Sequence, residues 1–205
     1  PIGCDVPETI ILADGDFPSH PLAQEWLRQC PYVVCCDGAA NTYIRSGRMP
    51  EAIVGDGDSL LPDIKERYAS LIHSEAEQET NDLSKAFRFC LSQERKRITI
   101  MGATGKREDH TIGNVSLLAD YMEQAEVSMV TDYGIFVPIR EDSMFESYIG
   151  QQISVFNMNS TALSAEGLAY PLSVFTNWWQ GTLNEALARH FIIRTEGKVL
   201  VFRVF

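Results

Sequence analysis

The fold that this sequence predicts is an α/β domain with a mostly parallel sheet and helices on both faces, followed by a small all-β, sandwich-like domain. Three observations predict it. Short continuous apolar runs recur along the first two-thirds of the chain. Segments of helical period separate them, and after about residue 140 the helical period gives way to strand-like stretches.

The apolar runs are Thr9-Ile10-Ile11-Leu12-Ala13, Tyr32-Val33-Val34-Cys35-Cys36, Ala52-Ile53-Val54, Ile98-Thr99-Ile100-Met101 and Val127-Ser128-Met129-Val130. They are continuous rather than alternating, as strands covered on both faces require. Between them, Ser19 is placed to cap a helix carrying Leu22, Trp26 and Leu27, and Pro62 suits a first helical turn before Ile64 and Tyr68. Leu83, Ala86, Phe87, Cys90 and Leu91 follow Thr80-Asn81-Asp82 at helical spacing, and Ile112, Val115, Leu118, Ala119 and Met122 do so after Asp109. In the last third, 152–158, 191–195 and 198–205 read as strands, 184–188 as a short helical turn, and Glu196-Gly197 as the turn of a hairpin. The expected domains are 1–140 and 141–205, with the seam at 138–142.

Composition narrows the function. The formal net charge of -11 disfavours nucleic-acid and anionic-membrane partners, which need clustered Lys and Arg. No apolar run is long enough to span a bilayer, and Pro1-Ile2-Gly3-Cys4-Asp5 lacks the basic and apolar regions of a signal peptide. Five cysteines without a Cys-x-x-Cys pair read as reduced thiols of a cytoplasmic protein.

The carboxylates are informative by position. Asp14-Gly15-Asp16, Asp37-Gly38-Ala39-Ala40-Asn41, Gly55-Asp56-Gly57-Asp58-Ser59 and the run Gly102 to His110 each follow a predicted strand. In an open parallel sheet the carboxyl ends of the strands line one crevice, so these turns should converge. Two carboxylates about 4 Å apart repel by roughly 4 kcal/mol at an effective dielectric near 20. A hard divalent cation relieves that, and Mg²⁺ uses one or two carboxylates plus phosphate oxygens. Each turn also has a plain structural reading: turn chemistry at Asp14-Gly15-Asp16, favoured there over a nucleotide contact, an Asx turn at Asp56 and Asp58, helix capping by Asp37, dipole complementation by Asp82, and a solvated ion-pair loop at 102–110. In the functional reading of that last loop, glycines free the backbone amides, a helix start favours anions, and Lys106 and Arg107 add positive charge. Neither a Walker A loop nor the dinucleotide G-x-G-x-x-G is present.

In order, Asp37-Gly38-Ala39-Ala40-Asn41, Gly55-Asp56-Gly57-Asp58-Ser59, Thr80-Asn81-Asp82-Leu83-Ser84-Lys85-Ala86, Gly102 through His110 and Gly181-Thr182-Leu183-Asn184-Glu185 resemble the thiamine pyrophosphokinase family over nearly the whole chain. The resemblance implies transfer of a diphosphate from ATP to thiamine, an N-terminal α/β domain, a C-terminal β-sandwich and a homodimer with active sites between subunits. It implies Mg²⁺ on Asp56, Asp58 and Asp82 with Asp37 nearby, these three acids and Arg107 carrying catalysis. It implies a nucleotide and phosphate site of Asp37, Gly38, Asn41, Thr104, Gly105, Lys106, Arg107, Asp109 and His110. For thiamine it implies Gln78 and Asn184, with Thr182 in the same motif as Asn184; Trp179, like Trp178, has a ring that suits either stacking on the substrate or packing in the core. Three departures stand out: Asn81 where the family often has Thr, Ala103 and Lys106 in place of glycines, and Leu183 in place of the Ser before Asn184. Rival readings are a metal-dependent nucleotide-sugar transferase and a ligand sensor without turnover.

Overall fold

A computed structural model describes residues 5–205, so the signal-peptide expectation for the first residues falls almost entirely outside it. The chain divides into two compact units, one holding residues 6–117 and 124–132, the other holding 118–123 and 133–205.

The first unit is the expected parallel sheet. Its strands are β1 (Ile10–Leu12), β2 (Val33–Cys36), β3 (Ala52–Val54), β4 (Ile72–His73), β5 (Arg97–Met101) and β6 (Glu126–Val130). They run in the order β6-β5-β1-β2-β3-β4, and all five pairings are parallel. The runs are continuous because β1, β2 and β3 are buried at every position. The short edge strand β4 escapes sequence reading, since two residues carry no period.

Helices α1 (Pro21–Gln29), α2 (Ala39–Arg45), α3 (Pro62–Arg67), α4 (Asp82–Ser92) and α5 (Glu108–Tyr121) connect the strands. Pro62 opens α3 as expected. The cap of α1 is His20, not Ser19: the His20 ring accepts from the Leu22 amide at 3.2 Å. Ser19 instead donates to Asp132 through its amide at 2.8 Å and its hydroxyl at 2.7 Å, and the His20 amide adds a third bond at 2.9 Å. Burial raises the Asp132 pKa, but these donors outweigh it and hold the carboxyl below its ordinary range. A depressed folded-state pKa gives stability that is present above the unfolded value and lost as pH falls through the folded one. Asp132→Ala is therefore expected to cost about 1–3 kcal/mol at neutral pH and to flatten the acid limb of a pH–stability curve measured by urea unfolding.

The second unit is the expected β-sandwich. One sheet joins β7 (Gly134–Ile139), β9 (Gln152–Asn157), β11 (Asn184–Glu185) and β13 (Val199–Val204) in the order β11-β9-β13-β7; the other joins β8 (Ser143–Glu146), β10 (Leu163–Glu166) and β12 (His190–Thr195) in the order β10-β12-β8. All pairings within these sheets are antiparallel. Their shared core includes Phe145, Ile153, Val155, Phe191, Ile193 and Val201. Phe145 and Phe191 are cross-strand partners whose rings stack at 5.1 Å.

Two expectations need correction here. Glu196-Gly197 is not a hairpin turn: β12 pairs with β8 and β10, whereas β13 pairs with β7 and β9. The turn carries the chain from one sheet to the other, with Gly197 at φ +128° and a Cβ there 2.7 Å from Ser160 Cα. Residues 184–188 form no helical turn; Asn184 and Glu185 make β11, and the helical turn lies earlier, as a 3₁₀ turn at Trp178–Gly181. The second unit resumes at Tyr133, and Pro138 sits inside β7 opposite Leu200.

Candidate active site

After β1 the chain moves outward through β2, β3 and β4, then returns to place β5 on the other side of β1. The winding reverses between β1 and β5, and ligands of such sheets bind at the carboxyl ends of the strands flanking the reversal. There the two turns are laced together. Ala13 N donates to Met101 O at 2.8 Å, Gly15 N to Gly102 O at 2.7 Å, and Asp16 N to Thr104 O at 2.9 Å. Gly15 is required by this approach, since a Cβ would lie 2.4 Å from the carbonyl oxygens of both Gly102 and Thr104.

A cleft of about 590 Å³ opens at this point. Asp14, Asn81 and Asp82 line it together with Gly105, Lys106, Arg107, Asp109 and His110. Acidic turns thus face a cationic loop, and both come from the same unit.

The acidic side is built on strand ends. Asp37 follows β2, is 6% exposed, and holds a left-handed backbone at φ +37°. Its carboxylate accepts from the Ser59 amide at 3.2 Å. It is not the side-chain cap of α2, whose N-cap is Gly38 and has no side-chain bond. Gly55 sits between two acids: a Cβ there would lie 3.0 Å from Asp37 Cβ and 3.3 Å from Asp82 Oδ2. Burial, then the neighbouring Asp56 carboxylate, which favours a proton on Asp37, pushes the Asp37 carboxyl up to about 6. Burial raises Asp82 against the pull of Lys85, and raises Asp14 against the pull of Lys106. Asp56 is held low, chiefly by the Asp58 amide, which donates to Asp56 Oδ1 at 2.9 Å. The Asx turn is therefore real, and Asp56 is also one of the charges that raise Asp37.

The convergence is pairwise. Among the described residues, no group of three or more His, Cys, Asp and Glu is placed to hold a metal ion. The donor set is still one of hard oxygens whose charges crowd, which is the chemistry that suits Mg²⁺.

On the cationic side, Lys106 occupies the left-handed region at φ +52°, the conformation that a glycine would take without strain. Its ammonium donates to Asp14 O at 3.0 Å. Gly105 arches over Asp16, a Cβ there falling 2.1 Å from Asp16 Oδ2. Arg107 is gripped by Asp109 at 2.7 and 3.1 Å, and the Asp109 carboxylate also accepts from the His110 amide at 3.0 Å. Thr104 contributes its carbonyl to the lacing, accepting from the Asp16 amide. Gly38 lies against Asp14, leaving 2.6 Å between a built Cβ and Asp14 Oδ2. Asn41 spends both ends of its amide on the 59–61 turn, at 2.9 Å to Ser59 O and 3.0 Å from Leu61 N.

The remaining expected residues lie elsewhere. Gln78 is exposed in the 75–80 loop, which Arg88 braces through Glu75 at 2.6 Å and Glu77 at 3.0 Å. Thr182, Asn184 and Trp179 belong to the second unit. Trp179 is 73% exposed, and Thr182 donates to Trp179 O at 2.7 Å. Asn184 is buried, and its amide bridges Tyr170 N at 3.0 Å and Tyr170 O at 2.9 Å. Leu183, in place of the Ser, is 80% exposed with φ +63°.

Sequence reading undervalued two residues. Asp14, read chiefly as turn chemistry, faces the cleft and Lys106. Lys85, given no role, is 7% exposed and stands 3.9 Å from Asp82 Oδ1. Lys85 falls on the helix face opposite Leu83, Ala86, Phe87 and Cys90, which reads as solvated, so the periodicity gave no signal of its burial.

The first unit, with its acidic and cationic turns at one reversal point, has the architecture of a ligand-binding α/β domain, and the second is a β-sandwich appended to it. The family model for the thiamin pyrophosphokinase catalytic domain matches residues 23–131, and that for the thiamin pyrophosphokinase substrate-binding domain matches 134–202. The chain belongs to the thiamin pyrophosphokinase family. It is 30% identical over 129 residues to Thiamine pyrophosphokinase 1 of Oryza sativa subsp. japonica, covering 51% of this chain and 49% of that one. With Thiamin pyrophosphokinase 1 of Caenorhabditis elegans the identity is 29% over 119 residues, covering 54% and 49%. The matched segment thus spans about half the length of these relatives. The crystal structure of thiamine pyrophosphokinase from Bacillus subtilis has a similar fold, with a TM-score of 0.79 at 20% identity over 96% of this chain and 98% of that one.

Proposed function

We propose that this protein transfers a diphosphate group from ATP to the hydroxyl of thiamine, releasing AMP. The observation that carries the reading is the cleft at the β1/β5 reversal, where acidic turns face Lys106 and Arg107 in a chain of this family. In the reaction the thiamine hydroxyl oxygen bonds to the β-phosphorus, the bond from that phosphorus to the α,β-bridging oxygen breaks, AMP leaves with the electron pair, and a carboxylate takes the hydroxyl proton. Asp56, Asp58 and Asp82, with Asp37 beside them, would hold Mg²⁺, which when bound neutralises polyphosphate charge. Mg²⁺ sites commonly use only one or two carboxylates plus substrate oxygens, so pairwise convergence suffices.

Lys106 and Arg107 grip phosphate oxygens, and the freed amides of the 102–105 turn add donors. Gly38, Asn41, Thr104, Gly105, Asp109 and His110 shape the nucleotide side. Gln78, Thr182, Asn184 and Trp179 serve thiamine. The exposed Trp179 ring offers a stacking face, and Asn184 acts by fixing the Tyr170 backbone. A homodimer with active sites between subunits and a cytoplasmic setting complete the reading. Four free cysteines among the described residues support that setting, and no helix there is long and apolar enough to cross a membrane.

The test is a coupled assay with ATP, Mg²⁺ and thiamine. AMP is expected, with loss of turnover on chelation; ADP as product, or binding of thiamine without turnover, would favour the rivals. Lys106→Gly is expected to keep stability within about 1 kcal/mol, since strain relief offsets the lost bond to Asp14. The same variant should raise KM for ATP by about tenfold, a loss of one charge-assisted contact.

A further inference from the structure

We propose that Asn114 is a positioning residue that couples the cationic loop to the acidic helix start across the cleft. Asn114 lies on α5, is half-buried, and lines the cleft. Its Nδ2 donates to Ala103 O at 2.9 Å, and its Oδ1 accepts from Asn81 Nδ2 at 3.1 Å. Asn81 is the N-cap of α4, its Oδ1 accepting from the Ser84 amide at 3.0 Å. One chain of three hydrogen bonds therefore runs from the 102–107 loop, which carries Lys106 and Arg107, to the first turn of α4, which carries Asp82.

The chemistry at each end fixes the direction of every amide. A carbonyl such as Ala103 O only accepts, so Asn114 must turn its NH₂ toward it. The Ser84 amide only donates, so Asn81 must turn its oxygen to the helix and its NH₂ toward Asn114. The Asn114 oxygen then faces that NH₂, and no link is frustrated. Ala103 is 3% exposed and follows Gly102, whose backbone packs on Ala13 O, so the anchor on the loop side is stiff. Asn81 suits this role because separate atoms accept from Ser84 and donate to Asn114, whereas a threonine hydroxyl would have to do both with one atom of shorter reach.

The relay itself is a property of the fold; only its effect on turnover rests on the proposed diphosphate transfer. The experiment is amide hydrogen exchange on the full chain without ligands, paired with kinetics, for Asn114→Asp, Asn114→Leu and Asn81→Ala. Asn114→Asp keeps the acceptor for Asn81 but sets a carboxylate against Ala103 O. Asn81→Ala leaves the loop untouched in composition. Both are expected to raise exchange by about tenfold at 103–107 and at 83–85 together, while β1 and β5 stay protected. The double variant Asn81→Ala/Asn114→Leu is expected to be no worse than the worse single one, as members of one relay are not additive. In the assay each single variant lowers kcat by about tenfold, with a smaller change in KM for thiamine. Exchange that rises on one side of the cleft only, or effects that add, would overturn the proposal. If Asn114→Leu does not fold, Asn114→Asp and Asn81→Ala decide it. A wild-type chain with no transferase activity would sink the functional reading and leave the exchange result to judge the relay.

Discussion

Asp56→Asn is expected to lower turnover by roughly a hundredfold to a thousandfold, while the thermal midpoint stays within about 3 °C of the parent. Two features of the site set these expectations apart. Asp56 is exposed, and its one backbone partner is the Asp58 amide, which bonds to Oδ1. Asn keeps an oxygen there, so the turn survives. Removing the charge also removes repulsion from Asp37, whose carboxyl is pushed up to about 6 by burial and by Asp56. What is lost is a charged ligand for the cation. Asp58→Asn should behave in the same way, since the Asp58 amide that holds the turn is kept by the substitution. Differential scanning calorimetry beside the coupled assay separates the two effects. A variant that turns over normally, or one that unfolds, removes Asp56 from the metal site.

Gly15→Ala is expected to have the largest structural effect in the first unit, about 2–4 kcal/mol of stability and a drop of roughly 5–15 °C in the midpoint. The contact that a Cβ would meet is backbone on both counts, at 2.4 Å from Gly102 O and from Thr104 O. No flexible side chain can give way, so the β1 and β5 turns must separate. That separation breaks the bond from Gly15 N to Gly102 O and the one from Asp16 N to Thr104 O. Both walls of the cleft shift, and ATP affinity falls with stability. Urea unfolding and ATP titration measure the two losses. An unchanged midpoint would mean that the two turns are not laced in solution.

The parallel sheet was legible because full burial writes itself as unbroken apolar runs, as in Val33-Val34-Cys35-Cys36. The approach of Asp37 and Asp82 to Gly55 was legible because strand-end position implies a shared edge. What escaped was set by long-range pairing. Glu196-Gly197 has the composition of a hairpin, yet its flanking strands join different sheets, and nothing local distinguishes those cases. Ser19 looked like a helix cap, but a distant carboxylate, Asp132, took its hydroxyl. β7 and β8 were hidden by Pro138 and by a lone buried residue, Phe145, in a strand of otherwise mixed character. In the site, Asn114 acts through Ala103 and Asn81, 11 and 33 residues away in sequence, and a single chain shows the residues but not the pairs.

The central claim is that polyphosphate binds between the acidic strand ends and the Lys106 loop. Shift mapping by ¹H–¹⁵N NMR with a non-hydrolysable MgATP analogue tests it directly. The account predicts perturbed amides at Gly15, Gly38, Gly55, Gly57 and 102–107, with β8, β10 and β12 silent. Perturbations that spare all of these glycines and gather on another surface would contradict it.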